Sequence, residues 1–166
     1  MDRPLRPWYR MDNASFMYSS IQRDQFSAIY RFSAVMTERV VPEALQAAVD
    51  RALPRFPGFA VKICRGFFWY YFEPNDAPGP YVREDVADPC RPVRFNEDSG
   101  WLIRFYYYRC RISLEVFHAL ADGAGAIAFF KAVLAEYLRQ LGRDIPPGEG
   151  IIDLDEPPKP EEREDA

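Results

Sequence analysis

Histidine is almost absent from this 166-residue chain, which has only His118. Any site that needs two or three imidazoles is thereby excluded, and the three cysteines, Cys64, Cys90 and Cys110, do not make up the deficit. They are odd in number and lack CxxC spacing, which argues against a disulfide framework and, beside a single histidine, against a structural zinc site. Lysine is nearly as rare, with Lys62, Lys131 and Lys159 among 21 basic residues. Long apolar runs are missing too. Nothing approaches the ~18 apolar residues of a membrane span, so none is expected. The opening MDRPLRPWYR has no uncharged apolar stretch of the kind a secretory signal carries, and the expected compartment is the cytoplasm.

What is present is the composition of a globular domain, 48% hydrophobic and 28% charged. The formal charge of -4 conceals an asymmetry: residues 144–166 hold nine acids against Lys159 and Arg163, whereas residues 1–143 carry a small positive excess. That excess suits a phosphate-bearing ligand but is far too thin for a nucleic-acid face, so no nucleic-acid partner is expected. The acidic stretch also holds Pro146, Pro147, Pro157, Pro158 and Pro160, a composition that cannot order itself alone. The chain therefore divides into a body, 1–143, and a proline- and acid-rich linker or tail, 144–166.

Within the body, periodicity sets the elements. Phe26 to Met36 is β-branched and aromatic and predicts a strand. From Pro42, a residue suited to a first helical turn, Leu45, Ala48, Val49, Ala52 and Leu53 recur at helical spacing, and Pro54 ends the segment. Gly58 to Glu73 predicts a hairpin turning near Arg65-Gly66, with the block FFWYYF on its second arm. Asn75 to Pro92 reads as loop. Trp101–Tyr107 and Arg111–Phe117 predict two strands joined by a tight turn around Arg109, and a second helix is expected over 124–141 with Ile127, Phe130, Leu134, Tyr137, Leu138 and Leu141 as its stripe. Two one-sided helices need a sheet to cover. The predicted fold is thus an α/β two-layer sandwich, a mixed β-sheet of five or six strands with both helices on one face.

His118 would continue the face of Ile112, Leu114 and Val116, and Asp122-Gly123 then breaks the chain before the helix. On the pattern alone, a lone histidine closing an apolar strand is more often a packed or surface residue than a catalyst, and Asp122 reads equally as a helix N-cap. A neutral imidazole can nevertheless accept a proton near neutral pH, and no other histidine is available for general-base work. Ser15, Ser19 and Ser20 lack a GxSxG setting, and Gly123-Ala-Gly125 is too short for a dinucleotide fingerprint. In FFWYYF, alternate rings fall on opposite sheet faces, which favours packing over a base-stacking platform.

His118-Ala-Leu-Ala-Asp122-Gly123 matches the HxxxDG pattern, here set between a strand and an amphipathic helix. With Asp12-Asn13-Ala14, the long first strand, Arg55-Phe56-Pro57 and FFWYYFEPN, it resembles the CoA-dependent acyltransferase superfamily of chloramphenicol acetyltransferase and the condensation domains. The likeness is greatest to the N-terminal half of bacterial alcohol acetyltransferases and runs over residues 8 to 143. It implies half of a chloramphenicol acetyltransferase-like fold and an acyltransferase moving an acyl group from acyl-CoA, the co-substrate, to a small-molecule alcohol or amine. It further implies that His118 is the catalytic base, that Asp122 supports the turn by pairing with an arginine such as Arg55 or Arg31, and that Gly123 allows a close backbone approach. No metal is implied. Family members carry two similar halves with the site between them, so the implied partner is a missing C-terminal half or a second copy of the chain, and the isolated half should be inactive. The competing expectation is a non-catalytic half-domain that serves as a binding or assembly module.

Overall fold

The computed structural model describes residues 8–11, 17–18, 27–67, 69–85, 88–95, 97–148 and 150–157. Seven strands are present among them: β1 (Tyr9–Arg10), β2 (Ile29–Val35), β3 (Val61–Arg65), β4 (Tyr70–Pro74), β5 (Val82–Glu84), β6 (Ile103–Tyr108) and β7 (Arg111–Phe117). The longer helices among the described residues are α1 (Pro42–Ala52) and α2 (Gly123–Gln140). The strands form two sheets where one was expected. A four-stranded sheet runs β2-β7-β6-β5, and a three-stranded antiparallel sheet runs β1-β4-β3. The hairpin β3–β4 pairs with β1 instead of joining the main sheet, and the Pro-rich segment after Pro74 leads the chain away to β5. β5, a short strand inside the stretch read as loop, lies parallel to β6; every other pairing is antiparallel.

The turn joining β6 to β7 uses Arg109 at φ 52, a left-handed conformation more usual for glycine or asparagine. This is why the sequence marked the turn so faintly. In the register of the main sheet, Tyr30, Phe32 and Ala34 of β2 stand opposite Val116, Leu114 and Ile112 of β7. The apolar side chains on that side are the ones the helices cover, with Phe105 of β6 meeting Phe129 of α2 edge-on at 5.9 Å. Phe129 also stacks on Phe59 at 4.5 Å and tilts against Phe56 at 5.0 Å, so one ring ties α2 to the sheet and to the turns after α1. α1 and α2 pack side by side, and Val41, at the start of α1, donates its N–H to the Tyr137 hydroxyl of α2 at 3.1 Å.

The buried stripe of α1, Leu45, Ala48, Val49 and Ala52, is the expected one. That of α2 is rotated: Ala126, Phe129, Phe130, Val133 and Tyr137 are buried, while the expected Ile127 and Leu141 are 39% and 38% exposed. This helix is apolar almost all round, and periodicity alone does not choose among its faces. The acidic segment after Gly142 touches the body at three described points. Leu154 is buried, Arg139 Nε donates to Ile145 O at 2.8 Å, and Arg51 pairs with Asp155. Asp12-Asn13-Ala14, Ser15, Ser19 and Ser20 and the end of the tail lie outside the described residues.

Candidate active site

The ladder between β2 and β7 runs one residue past the strand end, because His118 donates its N–H to Ala28 O at 2.8 Å. A turn follows, with Leu120 N donating to Phe117 O at 2.9 Å. Asp122, in extended conformation, then caps α2. Its Oδ1 accepts from Gly125 N at 2.9 Å, which satisfies one of the free donors of the first helical turn. Histidine and cap are thus brought together at one end of the sheet, four residues apart. Phe117, Ala119 and Leu120 are buried, and His118 is half-buried between them.

Two tyrosines hold the imidazole. Tyr18 stacks on it with ring centroids 4.6 Å apart and planes 19° off parallel, and Tyr30 meets it edge-on at 5.0 Å and 68°. Both geometries are favourable for aromatic pairs. The Tyr30 hydroxyl reaches behind the ring and donates to Ala121 O and Asp122 O, each at 2.9 Å. Burial, and secondarily the Asp122 carboxylate, push its phenol well above the ordinary tyrosine range, so it stays a protonated donor. Among the described residues the ring nitrogens of His118 take no hydrogen bond, and its ring contacts there are those with Tyr18 and Tyr30. Neither tyrosine is singled out by the sequence, where Tyr30 in its strand and Tyr18 before it have the same signature as any packing aromatic.

The arginine expected beside Asp122 is placed differently. Arg31 lies on the sheet face away from Tyr30 and Phe32, as strand period two dictates. There its Nε and Nη2 donate to Glu115 Oε1 at 3.0 and 2.7 Å, and its Nη1 and Nη2 to the Asp85 carboxylate at 2.7 and 3.1 Å. Arg111 adds a second donor to Asp85 at 2.9 Å, and Arg104 Nη1 lies 3.6 Å from Glu115. Arg55 is buried in the turn Leu53–Arg55. Among the described residues Asp122 makes no ion pair; the bond its carboxylate does make there is the cap to Gly125 N. Gly123 is also less constrained than expected: its φ is not left-handed, and a Cβ there would meet only Phe32 Cζ, at 4.0 Å, an ordinary contact.

A cavity of about 140 Å³ lies elsewhere, lined by Arg83, Asp98, Trp101 and Arg104 among others, and contains none of the motif residues. Among the described residues no three His, Cys, Asp or Glu side chains converge as a metal site, and no helix is long and apolar enough to cross a membrane.

No family model and no curated protein matches the sequence. Solved structures do match in three dimensions. The starter condensation domain of rhizomide synthetase RzmA superposes with a TM-score of 0.67 at 14% identity, over 84% of this chain and 40% of that one. The chain has the fold of one part of a condensation domain. That is the half-domain α/β fold which the motif resemblance implied. A variant of the RzmA domain in complex with C8-CoA matches with a TM-score of 0.62 at 15% identity, over 78% of this chain and 35% of that one. The X-domain from teicoplanin biosynthesis, in complex with OxyB, gives 0.66 at 14% identity, over 89% and 36%. The chain therefore spans roughly two-fifths of the length of these condensation-domain structures.

Proposed function

We propose that this chain is one half of an acyltransferase that moves an acyl group from a CoA thioester to an alcohol or amine, with His118 as general base. The observation that carries this reading is the placement of the sole histidine at the end of β7, half-exposed and fixed between Tyr18 and Tyr30, within a condensation-domain fold. The acceptor O–H or N–H gives its proton to the imidazole as its heteroatom attacks the thioester carbonyl. When the tetrahedral intermediate collapses, the C–S bond breaks and the imidazolium returns the proton to the departing thiolate. The C8-CoA bound by the RzmA variant supports a CoA thioester as donor. The second wall of the cleft comes from a further half-domain or a second copy of the chain.

The test supplies acetyl-CoA or octanoyl-CoA with a panel of alcohols and amines and follows thiol release, using the chain alone and the longest natural protein that contains it. His118→Ala should lower transfer by ~10²–10⁴, the loss expected for a general base, without shifting the thermal midpoint. A variant that keeps its activity and loses stability instead makes His118 a packing residue. The second reading is a binding or assembly module. It draws support from the two-fifths span and from the X-domain, whose structure holds a protein partner, OxyB. It requires that no donor and acceptor pair turn over, and that His118→Ala leave partner capture intact.

A further inference from the structure

We propose that Tyr30 is the positioning residue of the His118 site, with Tyr18 as the second jaw of an aromatic clamp; this rests on the general-base reading above. Tyr30 belongs to β2 and His118 extends β7, and the two strands are hydrogen-bonded to each other through the His118 N–H. The Tyr30 ring edge closes one side of the imidazole while Tyr18 covers a face. A planar ring pinned on a face and along a side has little freedom to rotate about its χ2 bond. The Tyr30 hydroxyl acts on the backbone in addition. By donating to two successive carbonyls 91 and 92 residues away, it locks the turn from His118 to the Asp122 cap against the sheet. One side chain therefore sets both the orientation of the imidazole and the position of the main chain that carries it. Misplacing a catalytic group by about 1 Å can cost up to ~10²-fold in rate.

His118 is the only histidine, so its imidazole NMR signals are unambiguous and report the clamp directly. Tyr30→Phe keeps the ring and removes the donor; Tyr18→Leu removes the stack, and Tyr18→Phe restores it. In the full chain, both Tyr30→Phe and Tyr18→Leu should split or broaden the imidazole signals, and Tyr18→Phe should match the wild type. Under the conditions where transfer is measured, the first two should lower kcat by about tenfold and leave KM for acyl-CoA within about twofold, the pattern of lost orientation and not of lost binding. If His118→Ala is inactive while Tyr30→Phe and Tyr18→Leu keep wild-type kcat and signals, the clamp is wrong and the base reading stands. If His118→Ala is fully active, the base reading falls and takes this assignment with it. Should Tyr30→Phe fail to fold, the Tyr18→Leu and Tyr18→Phe pair decides alone.

Discussion

Asp122 Oδ1 accepts from Gly125 N and meets no cation among the described residues, which fixes what its substitutions should do. Asparagine caps as well as aspartate, so Asp122→Asn should unfold at the wild-type urea midpoint, whereas Asp122→Ala should cost about 1 kcal/mol. If both variants lose several times that amount, an unseen charge pair is at work and capping is the lesser role. At Gly123 the expectation runs the other way. A Cβ has room there, and alanine is the better helix former, so Gly123→Ala should unfold within about 1 kcal/mol of wild type, on the stabilising side. A loss of acyl transfer in that stable variant would assign the glycine to the approach of something outside this chain. At this scale the sequence singles out His118 and Asp122 as candidates by their spacing. It was silent on Tyr18 and Tyr30, because their contact with His118 is made only by the fold.

Among the elements, the pairing of β2 with β7 carries the densest electrostatics. Burial raises the cost of the Asp85 charge, but the guanidinium groups of Arg31 and Arg111 outweigh it and hold the carboxyl below its usual value of 3.8. A carboxyl depressed in the folded state stabilises fully above its unfolded pKa, and that contribution fades as pH falls through the lower, folded value. Asp85→Asn should therefore be less stable than wild type by about 2 kcal/mol at pH 7, from the loss of hydrogen bonds to a charged group. Chemical denaturation from pH 7 down to pH 2 should show the two proteins converging below about pH 4. A constant gap over that range would locate the effect in packing. The legibility of elements followed their period. β2, β7 and α1 announce themselves through regular apolar spacing. β5, three residues among prolines and charges, offers no period to read, and α2 offers too many. The division into two sheets depends on which strands find each other, which no local pattern records.

Across the whole molecule, Phe129 is the ring where α2, the turns after α1 and β6 converge. Phe129→Ala should cost about 3–5 kcal/mol, a large part of the ~5–15 kcal/mol that holds a domain together. Its urea midpoint should fall steeply, and an unchanged midpoint would mean that the core is built around other contacts. The main sheet also implies a particular history for each newly made chain. β2 pairs with β7, and the ion pair between them joins Arg31 to Glu115 across 84 residues. At roughly 5–20 residues per second, β2 leaves the ribosome on the order of ten seconds before its neighbour exists. Through that interval Tyr30, Phe32 and Ala34 have no sheet to join, whereas the hairpin β3–β4 can close at once. Nascent chains stalled before Arg111 should thus be cut readily by protease within β2 and bind chaperones there. Chains long enough to free α2 should acquire protection at β2 and at the His118 turn together, since the same strand builds both.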